Sequence, residues 1–168
     1  MDWKNWTPRE CANLCFILKN DQLLLIRKKR GLGAGKINAP GGRIEPNETA
    51  YQSAIREARE EVGLTPINPE KRGELHFQFV DGYSLHCTVF LAFDCEGEPI
   101  ETDEATPFWI SRDAVPYDEM WEDDRHWLPL LLEGKPFVGY FLFDGEEMKS
   151  REIEIVTEFL DHGHTVHS

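Results

Sequence analysis

The sequence predicts an α/β fold: a mixed sheet with helices packed on it, in one domain spanning 1–168 with its core at about 10–160. Three observations predict it. A helix with both of its end signals occupies residues 49–63. Short apolar or alternating runs stand before and after it, as strands do. A second amphipathic segment follows late in the chain, over residues 120–132.

Residues 1–10 are polar apart from Trp3 and Trp6; these can tuck onto the body, and the sequence assigns them no role. Asn13–Leu18 and Leu23–Arg27 read as strands joined by the turn Lys19-Asn20-Asp21-Gln22, hence a hairpin. Residues 30–36 hold three glycines ahead of Lys36, a composition that suggests a phosphate loop. Ile37 after Lys36 breaks G-x-x-x-x-G-K-[ST], and the spacing also fails G-x-G-x-x-G, so this is read as a mobile loop beside a site. Asn38-Ala39-Pro40-Gly41-Gly42 follows. Adjacent glycines let backbone approach a ligand closely, and the Gly42 carbonyl is a candidate metal ligand.

Thr49 with Gln52 three residues on has the capping-box form, and Gly63 stands where a left-handed C-terminal residue is usual. Tyr51, Ala54, Ile55, Ala58 and Val62 recur at helical spacing and are expected to form the apolar face. Beyond the helix, Thr65–Lys71 reads as a connection, Glu74–Val80 and Leu85–Phe93 as strands across Asp81-Gly82, Asp94–Asp103 as an acidic loop, and Pro107–Ser111 as a short strand. In the second amphipathic segment Pro129 makes the helix begin late or kink, and Asp123 and Asp124 fall at or before the first turn, where capping is their ordinary role. Pro136–Phe143 reads as a strand, and Glu152–Phe159 as a strand or short helix. His162, His164 and His167 read as a frayed terminus rather than a metal site.

A net charge of −13 and a pI of about 4.8 argue against binding a nucleic-acid backbone, and no basic run offsets them. An acidic chain still binds a nucleoside triphosphate when metal ions bridge the two. Cys11, Cys15, Cys87 and Cys95 form no C-x-x-C pair and are expected as reduced, buried thiols. With no apolar leader at the N-terminus and no run of membrane-spanning length, a cytoplasmic setting without membrane attachment is expected. The absence of a coiled-coil seam favours a monomer.

Glu57, Glu60 and Glu61 stand at i, i+3 and i+4 and share a helix face about 120° from the apolar one. At about 5 Å and an effective dielectric near 20, each pair repels by roughly 3 kcal/mol. A solvated acidic face is the ordinary reading of three such glutamates; a hard cation with oxygen ligands is the other. The whole string decides. Gly42, Glu48, Arg56, Glu57, Ala58, Glu60, Glu61, Gly63 and Leu64 fill G-x5-E-x7-R-E-U-x-E-E-x-G-U without mismatch, U being a bulky or aliphatic residue.

The chain therefore resembles the Nudix hydrolases. The resemblance implies the Nudix α/β/α sandwich with a mixed sheet. It also implies Glu57, Glu60 and Glu61 as ligands of Mg²⁺, with Mn²⁺ able to substitute, and a Glu48–Arg56 pair that braces the loop against the helix. The match runs further, over about residues 10–148. Leu24–Ala34, Phe77-Gln78-Phe79-Val80, Asp103-Glu104, Pro116–Trp127 and Phe137-x-Gly139-Tyr140-Phe141 are similar to the mammalian-type oxidised-purine nucleoside triphosphatases, MutT homologues that hydrolyse 8-oxo-dGTP.

Carried over by position, Asn38, Asp123 and Asp124 would hydrogen-bond a purine, Trp121 would stack on it, and Phe77 and Phe79 would line its pocket. Asn13 and Lys28 would border the nucleotide, and Glu104 would lie near the metals. Either Glu61 or Glu104 would serve as base. Two adjacent carboxylates repel, so one is readily protonated and donates while the other accepts. Such a pair suits both 8-oxoguanine and 2-hydroxyadenine. Leu32, Ile37 and Pro40 replace aromatic residues of that family, and Asn13 replaces a threonine, so preference among substrates is less fixed than the chemistry. A methylated purine nucleotide or a dinucleotide is the rival substrate. A non-catalytic nucleotide-binding module is the rival of another class, but it would be expected to have lost box carboxylates.

Overall fold

The computed structural model describes residues 1–159. His162, His164 and His167 lie outside the described residues. The central strand is β1 (Glu10–Lys19), which sends Phe16 and Leu18 into one core and Cys15 and Ile17 into the other. Burial on both faces is what a strand covered on two sides requires. It turns into β2 (Gln22–Lys28) through Asn20 and Asp21, whose φ values of 53° and 61° are those of a tight two-residue hairpin turn.

Seven strands form the main path. From one edge they run β11 (Glu147–Ile155), β10 (Phe137–Asp144), β6 (Glu70–Phe79), β7 (Ser84–Ala92), β1, β2, β3 (Ile37–Asn38). Two more strands join it: β4 (Gly41–Arg43) pairs with β1, and β9 (Ala105–Ser111) pairs with β2. β1 with β7 and β10 with β6 are parallel and the remaining pairs antiparallel, so the sheet is mixed as expected. A separate short pair joins β5 (Thr65–Pro66) to β8 (Cys95–Glu96).

Helix α1 (Ala50–Val62) covers one face and α2 (Asp124–Leu132) the other. The capping box at Thr49 and Gln52 is fully formed, and Gly63 ends α1 at φ 75°. The core on the α2 side is aromatic, with Phe16, Trp127, Phe137 and Phe141 buried together. On the α1 side it is built from smaller residues, among them Cys15, Ala50 and Ala54.

Several expectations need correction. The buried face of α1 is Ala50, Ser53, Ala54, Ala58, Glu61 and Val62; Tyr51 is exposed and Ile55 only half-buried. Alanines let the helix settle close to the sheet, and the rotation that achieves this carries Glu61 inward. Thr65–Lys71 is not merely a connection, because it holds β5 and the start of β6; the acidic loop holds β8. The last strand begins at Glu147, earlier than periodicity suggests, since β11 is a polar edge strand with no buried face to mark it. α2 begins late in the 120–132 segment, at Asp124, as expected, with Asp123 at its N-cap and Pro129 inside it.

The tryptophans near the N-terminus do pack on the body: Trp6 Nε1 donates to Gln78 Oε1 at 2.8 Å, and Trp3 lies against Tyr140. The four cysteines are free, Cys15 and Cys87 buried and Cys11 and Cys95 partly so. Among the described residues no helix is long and apolar enough to cross a membrane.

Candidate active site

Three carboxylates converge where α1 meets the loop before β9. One oxygen each of Glu57, Glu61 and Glu104 lies within 4.8 Å of the others. Glu57 and Glu61 come one turn apart on α1. Glu104 is brought in by the pairing of β9 with β2, and its carbonyl accepts the Lys29 N–H at 3.0 Å. Thr102, which the sequence does not mark, ties the two parts together: its hydroxyl donates to Glu61 O at 2.6 Å and accepts from Glu104 N.

Burial, above all, pushes Glu61 up to about 8. The Gly41 N–H, 3.1 Å from its Oε1, pulls it down, and the Glu57 charge pushes it further up. Burial also raises Glu57, against the pull of Arg56. Oxygen ligands clustered at this distance, with two carboxyls held above their ordinary range, are what a hard divalent cation relieves.

Arg56 stands closer to these acids than its helical angle suggests. It grips Glu48 through two nitrogens at 2.7 and 3.0 Å, and its Nη1 also reaches Glu57 at 2.9 Å and Glu60 at 3.0 Å. Its hydrogen bond holds the Glu48 carboxyl down at about 2. The loop-bracing pair expected from the sequence is therefore present. Glu60 is turned to Arg56, mostly exposed, and is not in the cluster with the other three. Gly41 and Gly42 are required by contact. A Cβ at Gly41 would lie 2.1 Å from the Asn13 carbonyl oxygen, and one at Gly42 would lie 2.6 Å from the Glu57 carboxyl carbon.

A cavity of about 140 Å³ reaches Glu61 of this cluster. Lys28, Gly42 and Glu61 line one part; Trp121, Asp123 and Asp124 line another, with Phe77 and Phe79 in the wall. The β-strand period puts both phenylalanines on the same face of β6, as expected. Trp121 is propped edge-on by Phe143 at 5.6 Å and Phe79 at 6.2 Å, with Lys36 over its ring at 5.4 Å. Asn38 also lines the cavity. Its Oδ1 accepts from Ala39 N, which leaves the amide NH2 as its donor toward a ligand.

Asp123 and Asp124 are each 3% exposed. Neither side chain caps α2, so the ordinary capping role does not apply. Asp123 Oδ2 instead accepts from the Trp127 indole at 2.8 Å, an i, i+4 contact legible only once the helix register is known. Asp124 Oδ2 is buried without a partner. Burial pushes Asp123 up to about 6 against that indole bond, and raises Asp124 well above the carboxylate range with the charge of Asp123 adding to it.

Asn13 lines the cavity as well; its NH2 is spent on the α1 side, on Ser53 and Gly42, while its Oδ1 is buried without a hydrogen-bond partner.

A cavity lined by a buried acid pair and a tryptophan, and also by Glu61 of a carboxylate cluster that could hold a metal ion, has the chemistry to take an aromatic ligand bearing anionic groups. The chain belongs to the NUDIX family: the NUDIX domain model matches residues 8–131. It is 43% identical over 136 residues to the oxidized purine nucleoside triphosphate hydrolase of Danio rerio, covering 80% of this chain and 87% of the relative. To the mouse (Mus musculus) protein of that name it is 38% identical over 135 residues, covering 80% and 86%. Among solved structures, a mutator MutT protein from Bacillus halodurans superposes with a TM-score of 0.78 at 27% identity, covering 86% of this chain and 97% of that one.

Proposed function

We propose that this chain is a Mg²⁺-dependent hydrolase of oxidised purine nucleoside triphosphates, 8-oxo-dGTP and 2-hydroxy-dATP, releasing the monophosphate and pyrophosphate and so clearing damaged nucleotides from the cytoplasmic pool as a monomer. The observation that carries the reading is the cavity itself, whose lining includes Glu61 at the acidic end and the Asp123/Asp124 pair with Trp121 at the other. The relatives named for oxidised purines support the substrate class.

In this reading Glu57, Glu61 and Glu104 would hold the cation, with the Gly42 carbonyl as a further oxygen, and Glu60, now paired with Arg56, would be available to join them. A cation held there neutralises phosphate charge and lowers the pKa of an attacking water. Lys28 meets phosphate charge at the same end. Glu61 or Glu104 takes the proton of the water. Trp121 stacks on the base with Phe77 and Phe79 beside it, which supplies affinity independent of base identity. Asn38 donates its NH2 to the base edge, and the aspartates divide donor and acceptor roles between them.

The test is pyrophosphate release with Mg²⁺ from 8-oxo-dGTP, 2-hydroxy-dATP, dGTP and dATP. A kcat/KM preference of about tenfold or more for an oxidised base, ~1.4 kcal/mol in transition-state binding, supports the reading. Equal rates across the four remove the substrate assignment and turn attention to methylated purines and dinucleotides. Gly42→Ala is expected to lower kcat by about 10²-fold, because its methyl group displaces the Glu57 carboxylate by an ångström or so. Turnover at the wild-type rate in that variant would mean that Glu57 does not need its observed place.

A further inference from the structure

Asn13 on β1 and Ser53 on α1 are 1% and 0% exposed. Asn13 Nδ2 donates to Ser53 Oγ at 2.6 Å and to the Gly42 carbonyl at 3.3 Å. Ser53 Oγ donates in turn to the Arg43 carbonyl at 3.4 Å. Carbonyls only accept, so the direction of the chain of bonds is fixed, and with it the side of the amide that carries Oδ1. That Oδ1 is buried and has no partner. A buried acceptor left unmet costs stability, so two buried polar residues are a poor way to stabilise this seam; an apolar pair would serve better.

What the arrangement supplies is position. β4 is three residues long and pairs with β1 alone, Ala12 opposite Arg43, Asn13 opposite Gly42 and Leu14 opposite Gly41. Both glutamates of the acidic cluster that come from α1 rest on this short strand. Gly41 N–H donates to Glu61, and the Gly42 Cα lies against the Glu57 carboxylate. A slip of β4 relative to α1 would move both supports at once. Among the described residues the Asn13–Ser53 pair, with its two carbonyl acceptors, brings β1 into this link; Arg56, which donates to the Arg43 carbonyl at 3.3 Å, and Glu61, which accepts from Gly41, also tie β4 to α1.

We infer that Asn13 and Ser53 are positioning residues for the metal site: together they lock β4 to α1 and so set the places of Glu57 and Glu61. The inference rests on the metal-dependent reading of the carboxylate cluster, and it gives Asn13 a role other than the nucleotide contact expected from its position in the sequence. In this inference Asn13, although it lines the cavity, acts with Ser53 through Gly41 and Gly42 rather than by contact with substrate or cation.

The experiment compares Asn13→Leu, Ser53→Ala and the double variant with wild type. Folding is checked by circular dichroism and thermal melting. Mn²⁺ binding without nucleotide is followed by electron paramagnetic resonance, and kcat and KM are measured on 8-oxo-dGTP with Mg²⁺. Each single variant is expected to melt within a few degrees of wild type, to bind Mn²⁺ about tenfold more weakly and to lose about tenfold in kcat, the usual scale for supports of metal ligands. KM for the nucleotide stays within about twofold, and the double variant is no worse than the worse single, because the two side chains act as one unit.

Mn²⁺ affinity and kcat both at wild-type level in a folded single variant overturn the inference. So does a rise in nucleotide KM alone, which would return Asn13 to direct substrate contact. If Asn13→Leu does not fold, Ser53→Ala, which removes one oxygen, decides the matter. If wild type turns over no oxidised purine yet Mn²⁺ binding still weakens in the variants, the positioning role stands and the substrate reading fails.

Discussion

Glu61→Gln is expected to lower kcat by about 10³-fold or more while making the metal-free protein more stable. Both effects come from one fact. Glu61 is 5% exposed and its carboxyl is pushed up to about 8, chiefly by burial. An acid whose folded-state pKa lies above its unfolded value of 4.5 binds more protons in the native state than in the unfolded one. Stability is then highest below about pH 4.5 and is lost as pH rises through about 8. At pH 7 the penalty is on the order of 2–3 kcal/mol, which glutamine removes while still accepting the Gly41 N–H. A rise of roughly 5 °C or more in Tm follows for a chain of this size. Saturating Mg²⁺ should raise the wild-type Tm and close most of that gap, but leave the variant nearly unchanged. The measurement is a pair of melting curves with and without Mg²⁺, beside steady-state rates. Full turnover with normal Mg²⁺ stabilisation in Glu61→Gln would strip Glu61 of both its ligand and its base roles, and leave Glu104 as the proton acceptor to test.

The placement of Glu61 also marks the limit of what the sequence makes legible. The helix itself was readable to the residue, because capping boxes and terminal glycines are local chemistry: Thr49, Gln52 and Gly63 behave as their spacing says. The central hairpin and the pairing of Glu48 with Arg56 were readable for the same reason, the latter through the family string. Which face α1 buries was not local. Periodicity assigns Tyr51 and Ile55 to the core, but the sheet accepts the narrow alanine side and carries Glu61 in with it. Glu104 could be named by position, yet its approach to Glu57 depends on the register of β9 on β2 and on Thr102, a long-range fact with no sequence mark. The two short strands β3 and β4 are too brief to show any period. Asn13 is the sharpest case. It lines the cavity, but alternation along β1 turns its NH2 to α1, where it meets Ser53 and the Gly42 carbonyl.

Asp124→Asn should change the ratio of kcat/KM for 8-oxo-dGTP over 2-hydroxy-dATP by about tenfold or more, where Asp124→Ala loses both substrates. The two aspartates are not equivalent. Asp123 accepts the Trp127 indole and sits near 6, so it is largely the ionised acceptor at pH 7.5; Asp124, held well above the carboxylate range with an unpartnered Oδ2, is the proton carrier. Because the proton can sit on either, the wild-type pair presents donor and acceptor in two orders and suits two base edges. An asparagine at 124 cannot give its proton away and fixes one order, so one oxidised base is favoured at the expense of the other. The pair also sets opposite pH trends for function and stability. Below about 6 both carboxyls are protonated and the acceptor is gone, so kcat/KM for a base that needs it falls with pH. Stability moves the other way: Asp123 is raised from 3.8 to about 6, so native protein takes up protons as pH falls through that window and gains on the order of 2–3 kcal/mol. Asp123→Asn is expected to flatten the kcat/KM profile between pH 4 and 7 and to lessen the fall of stability there without abolishing it, because Glu61 and Asp124 are raised as well. Parallel kcat/KM and urea-melt series over that range read the two at once. A substrate ratio unmoved by Asp124→Asn, or a fall of stability between pH 4 and 7 that Asp123→Asn leaves unchanged, would mean that the buried pair does not exchange its proton and that base selection lies with Asn38 and Trp121 instead.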